Sequence, residues 1–121
     1  MTSDTPWPID IVLKKDRRTL EITSDDGVTR SYSAEFLRVL SPSAEVKGHG
    51  SAPRQLVSGK RDVEITGIDP IGNYAVRLTF ADGHNTGIYS WQYFSELDAD
   101  REALWSTYLA DLEAAGLTRG V

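Results

Sequence analysis

Residues 74–91 read YAVRLTFADGHNTGIYSW, and this stretch decides the predicted fold. Apolar and polar residues alternate along residues 74–80, which is the period of a β-strand with one buried face. Asp82-Gly83 is typical of a tight hairpin turn, because glycine tolerates a positive φ angle. Residues 87–89 then predict a returning strand, and Ser90 is placed to cap a short helix.

The same order of features occurs once earlier in the chain. Alternation over residues 20–22 predicts a strand, Asp26-Gly27 is a second hairpin signal, and residues 28–32 predict the returning strand. Ser33 is then placed to cap a helix over residues 34–40. The later copy has one extra residue in its hairpin loop. The chain is therefore predicted to contain two related hairpin–helix units.

The segments around these units complete the predicted organisation. Residues 1–8 are predicted to be a flexible arm that Trp7 could pin to the body, and residues 9–121 a single domain whose first strand begins at Ile9. Residues 41–61 are poor in apolar side chains and predict a long connection, with room for one helical turn after Ser41-Pro42. Residues 69–73 are a turn by composition.

A final amphipathic helix is predicted after residue 98. Asp98 or Asp100 can cap it, and Gly116 can end it. Its apolar residues share one face at helical spacing: Leu104, Trp105, Tyr108, Leu109 and Leu112. The predicted fold class is α+β, with a mainly antiparallel sheet built from the two hairpin–helix units and this helix packed across it.

Composition excludes several classes of function. The 121 residues contain no cysteine, which removes disulfides, thiol catalysis and thiolate metal sites. The net charge of −5 argues against a nucleic-acid binder. No stretch resembles a membrane helix or a secretory signal, so we expect no membrane partner and a cytoplasmic location.

Few side chains could carry chemistry. The two histidines, His49 and His84, lack the His-x-Asp spacing of an iron oxygenase, although His84 with Asp82 or Glu45 could bind a small ligand or a metal ion. The basic cluster at residues 14–18 is explained by a solvated loop. No catalytic residue and no cofactor are predicted.

One stretch carries a family resemblance. The strings Gly72-Asn73-Tyr74-Ala75-Val76 and DGHNTGIYSW at residues 82–91 closely resemble the gamma-butyrobetaine hydroxylase N-terminal-like domain family, and the Leu37-Arg38 pair fits its first unit. In the hydroxylase, this domain precedes an iron- and 2-oxoglutarate-dependent catalytic domain. Relatives are also attached to carriers that assemble iron–sulfur clusters. The resemblance implies an accessory role near iron chemistry.

The resemblance also implies a lost zinc site. In the hydroxylase, this N-terminal domain holds a structural zinc through Cys-x-Cys-x-x-Cys after the Leu-Arg pair and through a later histidine. The corresponding positions here are Ser41, Ser43, Val46 and His84. A hydroxyl is a poor zinc ligand and valine is none, so we expect no zinc. We expect the His84 ring instead to form a hydrogen bond to the connection at residues 41–45, although a weak, exchangeable metal or anion site remains an alternative.

The leading hypothesis for function is a non-enzymatic protein-interaction or accessory module, linked to an iron-dependent oxygenase or to iron–sulfur assembly. The partner is an unknown protein. The alternative is a small-ligand or metal-ion binding domain centred on His84, and a third reading is a small oxygenase. Four aromatic residues are candidates for either the core or an interaction face: Trp91, Tyr93, Trp105 and Tyr108.

Overall fold

The computed structural model describes residues 7–42 and 56–120 and has the predicted α+β class. The first half contains β1 (Pro8–Leu13), β2 (Thr19–Ser24), β3 (Thr29–Ser33) and α1 (Ala34–Val39). The second half contains β4 (Ile65–Ile71), β5 (Ala75–Phe80), β6 (Ile88–Ser90), α2 (Trp91–Ala99) and α3 (Arg101–Ala115).

Two antiparallel three-stranded sheets form within the described residues, in the orders β1-β2-β3 and β4-β5-β6. Each sheet is followed directly by a helix, α1 or α2. The two predicted hairpin–helix units are thus confirmed, and each one gains an outer strand, β1 or β4. The unit of the internal repeat is three strands and a helix.

Local hydrogen bonds repeat between the two units. The Ser33 and Ser90 side chains accept from the backbone N–H three residues later, at 3.0 Å in both helices, so both predicted caps are confirmed. The Asp26 and Asp82 carboxylates accept from the backbone N–H two residues later, at 3.0 and 3.1 Å. Equivalent residues therefore form equivalent turns, as the sequence repeat predicts.

Two buried tyrosines join the units reciprocally. The Tyr32 hydroxyl donates to the Phe94 carbonyl in α2 at 3.2 Å, and the Tyr89 hydroxyl donates to the Leu37 carbonyl in α1 at 2.5 Å. Tyr32 corresponds to Tyr89 and Leu37 to Phe94 in the repeat. Each unit thus donates to the same position of the other, which is the pattern of an approximate two-fold relation. Burial raises the pKa of Tyr32 to about 12.

The last helix packs differently from its prediction. Tyr108 and Leu112 are buried as expected, but Leu109 is 38% exposed. Trp105 is only half-buried, and its ring lies 6.1 Å from that of Phe36 in α1, so it packs against a helix as well as facing solvent. Gly116 ends the helix with φ 72°, as predicted. Asp100 lies at the N-cap position without a side-chain hydrogen bond to the helix.

The observed strands differ from two predictions, one for the turn at residues 69–73 and one for the start of the first strand. Residues 69–71 belong to β4, and only the residues that follow form the turn, because Pro70 is acceptable in a strand at the edge of a sheet. Tyr74 lies in that turn and is 55% exposed. The predicted arm lies outside the described residues up to residue 6, while Pro8 already belongs to β1.

Candidate functional site

The described positions of the family's zinc site lie together. The Ser41 Oγ and the His84 Nε2 are 2.9 Å apart, which confirms the predicted hydrogen bond from the His84 ring to the connection after α1. Ser43, Glu45, Val46 and His49 lie outside the described residues.

Gly87 permits this contact. A Cβ atom at Gly87 would lie 2.3 Å from the Ser41 Oγ, which is far inside van der Waals contact. Any larger residue would push the β5–β6 loop away from Ser41. The glycine in the family string is therefore required by a close approach between the loop and the connection.

The Asp82 carboxylate forms ion pairs with cationic side chains from two other segments. Its Oδ2 accepts from the Arg38 Nε at 2.8 Å and from the Lys60 Nζ at 2.6 Å. Its Oδ1 accepts from the His84 backbone N–H at 3.1 Å. Burial alone would raise the pKa of Asp82, but Lys60, this N–H and Arg38 together lower it to about 2. The carboxylate thus joins the hairpin turn to α1 and to residue 60.

This donor set does not fit the zinc ion that the family implies. One imidazole is hydrogen-bonded to a hydroxyl, and the neighbouring carboxylate already pairs with two cations, Arg38 and Lys60. The remaining ligand positions are serine and valine in the sequence, where the family has thiolates. Among residues 7–42 and 56–120, no group of three metal-binding side chains comes together.

The four aromatic candidates lie in different surroundings. Trp91 donates from its indole N–H to the Asn73 carbonyl at 2.9 Å. Tyr93 donates to the Leu40 carbonyl, and Tyr108 donates to the Val57 carbonyl at 2.8 Å. Trp105 is the member that faces a large cavity. The hydroxyls of these tyrosines thus help to hold the connection and the end of α1.

That cavity has a volume of about 570 Å³ and opens to solvent beside the N-terminus of α1 and the first turns of α3. Its lining includes four arginines from separate segments: Arg18, Arg61, Arg101 and Arg119. Phe36, Val63 and Trp105 supply apolar and aromatic surface. We call this cavity the arginine cleft. Its size is that of a small-molecule or peptide side-chain site.

Two of the arginines are held in place by the protein. Arg119 donates twice to the buried Glu35 carboxylate, at 2.9 and 2.8 Å, and its guanidinium lies 5.2 Å from the centre of the Trp105 ring. Arg101 donates to Asp98 at 2.9 Å and lies 5.5 Å from the Phe36 ring. Carboxylate and aromatic contacts on separate sides leave little freedom to either guanidinium.

The other two arginines are available to a ligand. Arg18 pairs only with Asp62 in the described chain, at 3.6 Å, and both side chains are largely exposed, at 48% and 71%. Arg61 forms no ion pair within residues 7–42 and 56–120. An exposed pair of this kind contributes little stability, so Arg18 can exchange Asp62 for another anion.

The sequence contained almost no signal for this cleft. Arg18 belongs to the basic cluster at residues 14–18, which was expected to be solvated. Arg61, which follows Lys60, and the single arginines Arg101 and Arg119 lie far apart in the chain, and they meet only where the folded chain brings their segments to one cavity. No helix in the described part of the chain has the length and apolar character needed to cross a membrane.

Comparison with known proteins places the chain in a family. A family model described as gamma-butyrobetaine hydroxylase-like, N-terminal, matches residues 11–95. Two NMR solution structures of proteins are similar, one with 50% identity and a TM-score of 0.82 over 98% of this chain and 90% of the other. The second has 42% identity and a TM-score of 0.80 over 95% and 90%.

A crystal structure is also similar. It is of a protein of unknown function from Acidithiobacillus ferrooxidans, of the DUF971 family, with 38% identity and a TM-score of 0.67 over 81% of this chain and 99% of that one. No curated protein matches the chain.

Proposed function

The chain belongs to the family of gamma-butyrobetaine hydroxylase-like N-terminal domains, and from this premise we propose that it is a non-enzymatic accessory module that binds a protein partner. The observation that carries the proposal is the arginine cleft. Its lining holds four arginines and two glutamates, Glu35 and Glu102, a formal charge of four minus two, or +2, in a chain of net charge −5. Arg18 has only a long ion pair and Arg61 has none in the described chain. Such a local excess of positive charge attracts an acidic surface.

The non-enzymatic part of the proposal rests on the chemistry of the side chains. The sequence has no cysteine nucleophile, and the His84 ring shares a hydrogen bond with Ser41. Asp82 is neutralised by Arg38 and Lys60, which makes it a poor proton acceptor at neutral pH. These contacts stabilise a turn, and they support an accessory role over a reaction centre.

The kind of partner is part of the proposal. The matching model is described as gamma-butyrobetaine hydroxylase-like, N-terminal, which supports a partner of the hydroxylase class. A partner among the proteins that assemble iron–sulfur clusters rests on the family resemblance alone. The module would add a recognition surface to such a system. The alternative, a metal or ligand site centred on His84, is less well supported because its nearest carboxylate is already paired.

Affinity capture with matched variants tests this proposal. The tagged protein, the double variant Arg18→Gln/Arg61→Gln and the control Arg77→Gln are each used to capture proteins from cell extract. Arg77 is an exposed arginine on β5 without an ion pair in the described chain, so its loss changes charge but not the cleft. We expect proteins that the wild type and the control retain and that the double variant loses.

Two results would overturn the proposal. One is an unchanged set of captured proteins in the double variant, which would place the partner elsewhere. The other is turnover of 2-oxoglutarate by the purified chain supplied with ferrous iron, which would make it an enzyme.

A further inference from the structure

We infer that the arginine cleft recognises a peptide segment in which an aspartate or glutamate adjoins an aromatic residue. This inference rests on the proposed function and names the chemistry of the partner. It follows from three properties of the cleft: its remaining charge, its aromatic wall and its size.

The charge of the cleft suits one carboxylate. Of its four arginines, Arg119 pairs with Glu35, Arg101 shares the Asp98 carboxylate with Arg30, and Arg18 makes a 3.6 Å pair with Asp62. Arg61 is left as the cation without an ion pair in residues 7–42 and 56–120. Glu102 also lines the cleft and opposes a second negative charge. A singly charged carboxylate therefore complements the site better than a phosphate dianion does.

The geometry of guanidinium favours the same ligand. Arg61 presents a planar group with parallel N–H donors, which matches the two oxygens of a carboxylate. Arg18 lines the same cavity and makes only a long contact with Asp62. A ligand carboxylate between Arg18 and Arg61 would gain charge-assisted hydrogen bonds without breaking the Glu35–Arg119 pair.

The aromatic wall suits an adjoining ring. The Phe36 ring lies 6.1 Å from that of Trp105 but is only 4% exposed, so Trp105 and Val63 supply the apolar surface that a ligand can reach. Trp105 is half-buried, so part of its ring is available to solvent or to a ligand. An aromatic side chain placed there would bury apolar surface and contact ring edges and faces.

The size of the cavity limits the ligand to a short segment. A volume of about 570 Å³ holds a few peptide residues, and it is too small for a whole helix. The cavity is open to solvent, so the rest of a bound peptide can continue outside it. A peptide of two anchoring residues is the simplest occupant that uses both the free cations and the aromatic wall.

Titration of the whole chain with defined peptides, followed by heteronuclear NMR, tests the inference. The probe is acetyl-Gly-Phe-Asp-Gly-amide. We expect saturable shifts of the Trp105 indole N–H and the Arg61 Nε–H signals. Replacing Asp with Asn or Phe with Ala in the peptide should each weaken binding about tenfold, because one removes the charge-assisted bonds and the other the buried ring.

Protein variants supply the matched controls. Arg61→Gln should weaken binding of the probe about tenfold, whereas Arg77→Gln should leave it unchanged. The dispersed NMR spectrum of each variant checks that it remains folded. Phenylacetate is titrated in parallel as a small acid with the same two groups, and we expect it to bind more weakly than the peptide.

The outcomes separate this inference from the proposed function. Unmoved cleft signals, equal binding of the Asn peptide, or phenylacetate binding as tightly as the peptide would overturn the inferred ligand class. If the capture experiment still shows proteins that depend on Arg18 and Arg61, the accessory function stands with a different ligand. If both experiments fail, the accessory function falls as well.

Discussion

His84 Nε2 and Ser41 Oγ lie 2.9 Å apart although the residues are separated by 43 positions, so one hydrogen bond joins the β5–β6 turn to the end of α1. The family resemblance aligns these two positions with zinc ligands of the hydroxylase domain. Here the two segments are joined by this bond and by the ion pair between Asp82 and Arg38. These polar contacts hold the turn against the end of α1.

Replacing His84 with Gln should lower the free energy of unfolding by about 1–2 kcal/mol, the usual effect of losing a partly buried hydrogen bond. Ser41→Ala should have an effect of similar size. Because the two residues bond to each other, the double variant should lose less than the sum of the single losses. Urea denaturation of the four proteins measures this coupling. Strictly additive losses would show that the bond contributes nothing.

The lowered pKa of Asp82 predicts that the stability of the protein depends on pH. Its folded-state pKa is about 2, below the ordinary value of 3.8, so its contribution to stability is present above about pH 4 and is lost as pH falls toward 2. The wild type should therefore be more stable than Asp82→Asn at neutral pH. The difference should shrink as pH falls from about 4 to about 2. Urea denaturation at a series of pH values checks this, and a constant difference would contradict it.

At the scale of elements, α3 contributes side chains both to the core and to the arginine cleft. Tyr108 and Leu112 are buried against the core, while Trp105 is shared between Phe36 and the arginine cleft. The helical spacing of the apolar residues in this segment predicts a helix with one buried face. The observed helix turns part of that face toward the cavity, where the Arg119 guanidinium lies 5.2 Å from the centre of the Trp105 ring.

Trp105→Ala should accordingly destabilise less than the truncation of a fully buried ring. We expect a loss of about 1–3 kcal/mol for this half-buried tryptophan. Phe94→Ala is the comparison, because Phe94 is 3% exposed, and it should lose about 3–5 kcal/mol. Equal losses in urea denaturation would show that Trp105 belongs to the core and not to the cleft.

Local chemistry explains which elements the sequence could predict. Ser33, Ser90 and the two Asp-Gly turns act through backbone groups within three residues, so their roles are visible in the sequence. Residues 69–73 have the composition of a loop, so the sequence predicts a turn that includes Pro70. This prediction is wrong for Pro70 because β4 lies at the edge of its sheet, where proline is acceptable in a strand.

The cleft could not be predicted in the same way. Arg61, Arg101 and Arg119 belong to no sequence motif that would link them. Their common cavity depends on how α1, α3 and the chain after α3 pack. The His84 contact was predictable only through the family resemblance, which aligned it with Ser41. Side chains that act across the fold leave no periodic signal along the chain.

At the scale of the whole molecule, the two units are joined reciprocally by Tyr32 and Tyr89. Each hydroxyl donates to a helix carbonyl of the other unit, and both rings are almost fully buried, at 1% and 0% exposure. Neither unit can therefore keep its hydrogen bonds without the other. The domain should unfold as one cooperative body.

Tyr32→Phe and Tyr89→Phe should each lower the free energy of unfolding by about 1 kcal/mol, because each leaves a buried carbonyl without its donor. Hydrogen exchange should show faster global opening in both sheets for either variant. Loss of protection confined to one sheet would contradict a reciprocal connection between the units.

If the arginine cleft binds its partner through negative charge, then reversing the charge of one cleft arginine should reverse the charge preference of the bound peptide. The affinities of Arg61→Glu and of the wild type are measured by NMR for acetyl-Gly-Phe-Asp-Gly-amide and for the same peptide with Lys in place of Asp. We expect the wild type to prefer the Asp peptide and Arg61→Glu to prefer the Lys peptide. Binding of the Asp peptide by Arg61→Glu with unchanged affinity would contradict the account.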